Sequence, residues 1–216
     1  MSRTLSKLLL AGLLSVSAAQ VFASPVSISS YDITNANLSG YGGWSHTYSG
    51  SISGSTYTGG SGTLNDGIFG TSHTNTQLFS IPSQAFITLH LNGVSTIDTI
   101  SLFSFGNGNG IPGNITGFDV TINSITQSFL STAFGPSALN GNLQNELVSL
   151  TGSLLSGQAS NTITLSNFTA GGGWSSYYSV SEITLDGNST AVPEPASLAL
   201  LGLGLVGMFA ARRRKA

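Results

Sequence analysis

Between residues 24 and 192, apolar side chains recur at every second position in short runs and almost nowhere at helical spacing. Ile87, Leu89 and Leu91 fall on one side of an extended chain while Thr88 and His90 fall on the other. Ile100 and Leu102 alternate with Ser101 and Phe103, and Phe118-Val120-Ile122, Ile163-Leu165 and Ile183-Leu185 repeat the pattern. A period of two is the side-chain repeat of a strand with one buried and one wetted face, so the chain is expected to fold from strands. Turn formers punctuate the runs: Asn92-Gly93, the Gly/Asn stretch at 106–110, Gly113-Asn114, Asn140-Gly141 and Gly171-Gly172-Gly173. Many short strands separated by such turns predict an all-β fold, an antiparallel β-sandwich of the jelly-roll kind. One segment, 139–150, reads as a helix interrupted by Gly141, and His90, on the outward side of its run, is expected in solvent.

Charge narrows the functions open to such a fold. All six basic residues lie at the ends, Arg3 and Lys7 at one and Arg212, Arg213, Arg214 and Lys215 at the other. The 24–192 stretch holds seven acids (Asp32, Asp66, Asp98, Asp119, Glu146, Glu182 and Asp186) and no Lys or Arg. Nucleic-acid binding draws its affinity from Lys and Arg contacts to phosphate, so a nucleic-acid partner is excluded. Phosphoryl-transfer sites that clamp phosphates with basic side chains fall for the same reason. Catalysis finds no motif. His46, His73 and His90 are the only histidines, serines are too abundant for a Ser/His/Asp combination to inform, and neither H-E-x-x-H nor G-x-S-x-G occurs. The reading is therefore not an enzyme. The absence of cysteine leaves the chain indifferent to an oxidising compartment and its stability dependent on the core.

The ends read as addresses. Residues 1–23 have the parts of a secretory signal peptide: Arg3 and Lys7, an apolar stretch at 8–16, and small residues that place cleavage between Ala23 and Ser24. An exported domain is expected over 24–190. Residues 191–216 then carry Val192-Pro193-Glu194-Pro195, an apolar run at 196–211 and the basic cluster Arg212-Arg213-Arg214-Lys215. Sixteen helical residues reach about 24 Å, enough for a single short transmembrane helix flanked by snorkelling arginines, whose basic end stays cytoplasmic. Gly202, Gly204 and Gly207 spell G-x-G-x-x-G, but no βαβ unit surrounds them, and small residues are ordinary in an apolar span. In motif, span and basic end together, this tail resembles the PEP-CTERM sorting signal. The resemblance implies export, a transient tether at the inner membrane, recognition of Pro193-Glu194-Pro195 by an exosortase, and release or re-anchoring at the cell surface of a bacterium that makes exopolysaccharide.

A second resemblance rests on Thr63-Leu64-Asn65-Asp66-Gly67 with Thr71, Ile87 to Leu91, Thr96 to Leu102, Gly117 to Ile122 and Tyr178 to Gly187. In order and spacing these are similar to discoidin or galactose-binding-like domains, which implies an eight-stranded jelly roll. It also implies one structural calcium with Asp66, Thr71 and Glu182 as ligands, a donor set that suits an oxygen-seeking cation. Ile68 and His73 depart from the family's pattern. In the alternative, Asp66 caps a turn and Glu182 is a solvated strand residue. Sugar-binding members often use Arg, which this core lacks, but it carries an internal echo, Gly42-Gly43-Trp44-Ser45-His46-Thr47-Tyr48-Ser49 against Gly172-Gly173-Trp174-Ser175-Ser176-Tyr177-Tyr178-Ser179. Brought together, Tyr41, Trp44, Trp174 and Tyr177 would form a stacking platform for sugar rings. The expectation is an exported, non-catalytic, polysaccharide-binding surface or matrix protein. The alternative is a purely structural matrix protein of biofilm without a specific ligand.

Overall fold

The computed structural model describes residues 23–36, 47–69, 76–80, 84–105, 113–130, 143–171 and 176–189. Among them there is no α-helix, and every strand pairing is antiparallel. Twelve strands follow in order: β1 (Ser24–Pro25), β2 (Ile28–Thr34), β3 (Ser51–Ser53), β4 (Thr56–Gly60), β5 (Gln77–Ser80), β6 (Phe86–Phe105), β7 (Asn114–Ile122), β8 (Ile125–Leu130), β9 (Leu143–Ser149), β10 (Ala159–Gly171), β11 (Tyr177–Val180) and β12 (Glu182–Ser189). The expected signal helix, apart from Ala23, and the transmembrane helix at 196–211 lie outside the described residues.

Strand β6 organises the sandwich. Its first half pairs with β2 and β10 inside the order β3-β4-β2-β6-β10-β7-β8, whereas its second half pairs with β12 and β9. One strand thus passes from one layer to the other, a corner that sandwiches make by bending a strand. Asn92-Gly93 lies at that corner, so this pair is not the turn its composition predicts but part of a continuous strand. The neighbours absorb the bend: register shifts occur at Ile28/Ser30 in β2, Ser160/Thr162 in β10 and Asp186/Gly187 in β12. Such bulges insert a residue and sharpen local twist. Gly187 is required there, because a Cβ would collide with the Thr96 carbonyl.

The helix expected at 139–150 is corrected as well. Residues 143–149 form β9, paired residue for residue with β6 from Phe105↔Leu143 to Thr99↔Ser149. Burial of Val148 between exposed Leu147 and Ser149 shows the period of two, and cross-strand pairing prevails over the local preference of a Leu- and Glu-containing run.

The alternating residues close the core. Ile87, Leu89, Ile100, Leu102, Val120, Ile122, Ile163, Leu165, Ile183 and Leu185 are all buried in a single cluster. A column of rings ties the small β5–β11 sheet to it: Phe79 stacks on Tyr178 at 4.8 Å, Tyr178 on Phe168 at 4.8 Å, and Phe168 on Phe118 at 5.6 Å. Offset stacks of this kind add to the area that the rings bury.

Candidate functional site

Glu182 opens β12 directly opposite Phe103 of β6, and its side chain is 3% exposed. The loop after β4 folds back onto it. Leu64 is fully buried and its carbonyl accepts from the Ile183 N–H at 2.9 Å, pinning the loop against β12. The chain then turns through Gly67, whose φ of 77° favours glycine, so that the Gly67 N–H donates to Glu182 Oε2 at 3.0 Å. The Asp66 carboxylate stands close enough for its charge to act on Glu182, and its Oδ1 accepts from the Ile68 N–H at 2.8 Å. Burial pushes the Glu182 carboxyl up to about 7; the Gly67 N–H opposes this and the adjacent Asp66 charge adds to it. The structure therefore brings together two of the three expected ligands, 116 residues apart in sequence, and Glu182 is buried rather than solvated. Thr71 lies outside the described residues.

Two facing carboxylates with no basic side chain anywhere in the domain form a site that wants either a proton or a cation. Hard oxygen donors in a glycine-containing loop suit calcium, with loop carbonyls and water needed to complete six to eight oxygens. Among the described residues no group of three or more His, Cys, Asp or Glu gathers, and Asp66 and Glu182 stand as a pair. A cleft of about 250 Å³ opens beside Glu182, walled by Val26, Ile28, Asn65, Gly67 and Leu185. Next to it lies a feature that the sequence reading missed. Phe103, the cross-strand neighbour of Glu182, packs on Phe69 with ring centroids 4.4 Å apart and planes 58° apart, and Phe69 is 44% exposed. Its signal was available, since Phe69 is the one aromatic residue in the acidic loop.

Of the four residues of the expected aromatic platform, only Tyr177 is described. Tyr177 is half-buried in β11, opposite Ser80 of β5, and its carbonyl accepts from the Gly113 N–H at 2.8 Å. Tyr41, Trp44 and Trp174 lie outside the described residues, as do Val192, Pro193, Glu194, Pro195, Arg212, Arg213, Arg214 and Lys215. Ala23 is exposed, and Ser24, where the mature chain is expected to begin, starts β1 opposite Gly187.

His90 is not simply solvated. Its Nε2 lies 2.9 Å from Asp32 Oδ2, with the two side chains 34% and 31% exposed. Partial burial pushes the Asp32 carboxyl up, but the Gly59 N–H, which donates to Oδ1 at 2.6 Å, and His90 outweigh it and hold Asp32 below its ordinary range. Position on an outward face predicts solvent only when the neighbouring strand offers no partner, and β2 brings Asp32 alongside.

A search of curated proteins finds no match. Among solved structures the chain spans 37% of a two-domain protein of unknown function from Bacteroides fragilis (14% identity over 58% of this chain, TM-score 0.41). It is also similar to the C-terminal domain of a Bacteroides fragilis chitobiase (17% identity, 77% of this chain and 99% of that one, TM-score 0.43). A pectin-binding carbohydrate-binding module is a further neighbour (14%, 77% and 94%, TM-score 0.40). All three likenesses are partial. The tail is assigned directly: residues 191–215 match the PEP-CTERM protein-sorting motif, which marks the chain for export and membrane-anchored sorting.

Proposed function

We propose that this is a non-catalytic, polysaccharide-binding β-sandwich, processed by an exosortase at the inner membrane and delivered to the cell surface or extracellular matrix. The observation that carries the reading is the sorting motif at 191–215 following a domain free of Lys and Arg. The motif carries the export, and a domain without Lys or Arg does not compete for phosphate-bearing molecules. The surface beside Glu182 supports the ligand class, with an open aromatic ring, a cleft and carboxylate oxygens that accept hydrogen bonds from sugar hydroxyls. One calcium ion held by Asp66, Glu182 and Thr71 would neutralise the carboxylate pair and fix the loop that carries Phe69. Tyr41, Trp44, Trp174 and Tyr177 form a second stacking surface in this reading.

The test is co-sedimentation of the signal-processed protein with the exopolysaccharide of the cells that make it. Saturable binding is expected, weakened by Phe69→Ala and by Trp44→Ala with Trp174→Ala. Absence of binding by folded protein would leave the purely structural matrix protein as the reading.

A further inference from the structure

The two ends of the domain leave the sandwich side by side. Ser24 lies opposite Gly187 and Pro25 opposite Asp186 in an antiparallel pair, so the chain before Ser24 and the chain after Ser189 continue from the same end of β12. Glu182 stands at the other end of that strand, seven residues and about 23 Å away at the strand rise. The end that carries both exits is also the neutral one. Four connections meet there, 26–27, 92–94, 123–124 and 150–158, all within the described residues and none containing an acid. They are tied together: the Asn92 N–H donates to the Ser27 carbonyl at 3.1 Å, the Leu150 N–H to the Asp98 carbonyl at 2.8 Å, and Asn123 Nδ2 to the Ala159 carbonyl at 3.0 Å, with Ala159 opposite Thr96. The acids nearest this end are engaged, Asp98 by Asn188 Nδ2 at 3.3 Å and Asp186 by Thr99 Oγ1 at 3.4 Å. Two apolar side chains stand out from it, Val94 at 46% and Leu154 at 69% exposure.

We propose that in the tail-anchored protein this end rests on the phospholipid surface, and the Glu182–Phe69 end faces away from it. Chain length selects the occupant. Residues 190–195 are the whole connector between Ser189 and the apolar run that begins at Ala196, seven Cα steps that reach about 25 Å at most. The headgroup layer takes about 5–8 Å of this. Standing on its Glu182 end, the domain would hold Ser189 about 23 Å above the lipid, farther than the rest of the connector can span. Standing on the neutral end, it needs almost none of that reach. Charge agrees with length, because an acidic domain meets anionic headgroups with least repulsion where its acids are missing. A tether this short also holds the end beside the lipid at an effective concentration of about millimolar, where the weak hold of Val94 and Leu154 is enough.

The inference rests on the sorting motif at 191–215 and is independent of glycan and calcium. Its consequence for the proposed binding site is that polysaccharide reaches the site while the tail is still in the membrane. The chain has no cysteine, so single-cysteine variants report cleanly. Signal-processed protein with its tail intact is reconstituted into vesicles of phosphatidylethanolamine and phosphatidylglycerol. A fluorophore is attached at Ser156→Cys, in the 150–158 connection, or at Ile68→Cys, in the acidic loop, both exposed positions. Quenching by headgroup-labelled lipid is expected to be at least fivefold stronger for Ser156→Cys. Adding Leu154→Glu should cut that quenching at least twofold and leave the melting temperature unchanged. Equal quenching of the two labels, or stronger quenching of Ile68→Cys, would overturn the proposal. So would quenching of Ser156→Cys that is indifferent to Leu154→Glu, since the end would then hang near the lipid without resting on it. Protein that does not float with the vesicles would overturn the anchor on which the proposal stands.

Discussion

Replacing Glu182 by Gln separates the buried carboxylate's effect from that of every other acid. The group moves from 4.5 to about 7 on folding, chiefly through burial. At 1.36 kcal/mol per pKa unit, that shift corresponds to about 3 kcal/mol. The sign follows from proton counts. Between about pH 4.5 and 7 the folded state holds a proton that the unfolded state has released, so stability is greatest below the lower value and falls as pH rises through the upper one. Urea unfolding in the presence of a chelator at pH 4.5 and pH 8 measures this. With a slope of about 1–3 kcal/mol per molar urea, the midpoint of the natural protein should fall by about 1–3 M across that range beyond any fall in Glu182→Gln. The amide titrates nowhere in the window and buries no charge, so the variant should be the more stable protein at pH 8 without metal. Calcium at pH 8 should restore the natural protein and leave the variant unchanged. Identical pH profiles for the two proteins would refute the reasoning.

Three other expectations follow. Trypsin should leave residues 24–192 uncut even in denaturant, because that stretch has no Lys or Arg; mass spectrometry of the digest reads this directly. Phe168→Ala, which opens the middle of a ring column at a fully buried position, should cost about 3–5 kcal/mol in the same urea assay at fixed pH. His90→Gln should raise the Asp32 pKa toward its ordinary value, observed by NMR titration, since the imidazole is one of the partners that hold it down.

The core was legible because alternation reports burial directly. Ile87, Leu89, Ile163, Leu165, Ile183 and Leu185 point inward as their spacing requires. The corner at Asn92-Gly93 was not, because this pair marks a tight turn only when the flanking runs pair with each other. Here those runs pair with β2, β10, β12 and β9, and bulges in three of the four neighbours accommodate the bend. The meeting of Asp66 with Glu182 came from a family pattern rather than from local chemistry, since 115 residues separate them and no spacing rule spans that distance. Burial of Glu182 and exposure of Phe69 depend on how the loop folds over β12, a tertiary fact without a local signature. The Asp32–His90 contact was missed because the sequence does not tell which strand lies beside which.

The most direct measurement is a pair of calorimetric isotherms of the signal-processed protein with its own cells' exopolysaccharide, one in calcium and one in chelator at pH 7.5. Saturable binding in calcium that weakens at least tenfold in chelator is the predicted result, with Asp66 and Glu182 holding the ion and Phe69 the sugar ring. Two flat isotherms from a folded protein would contradict it.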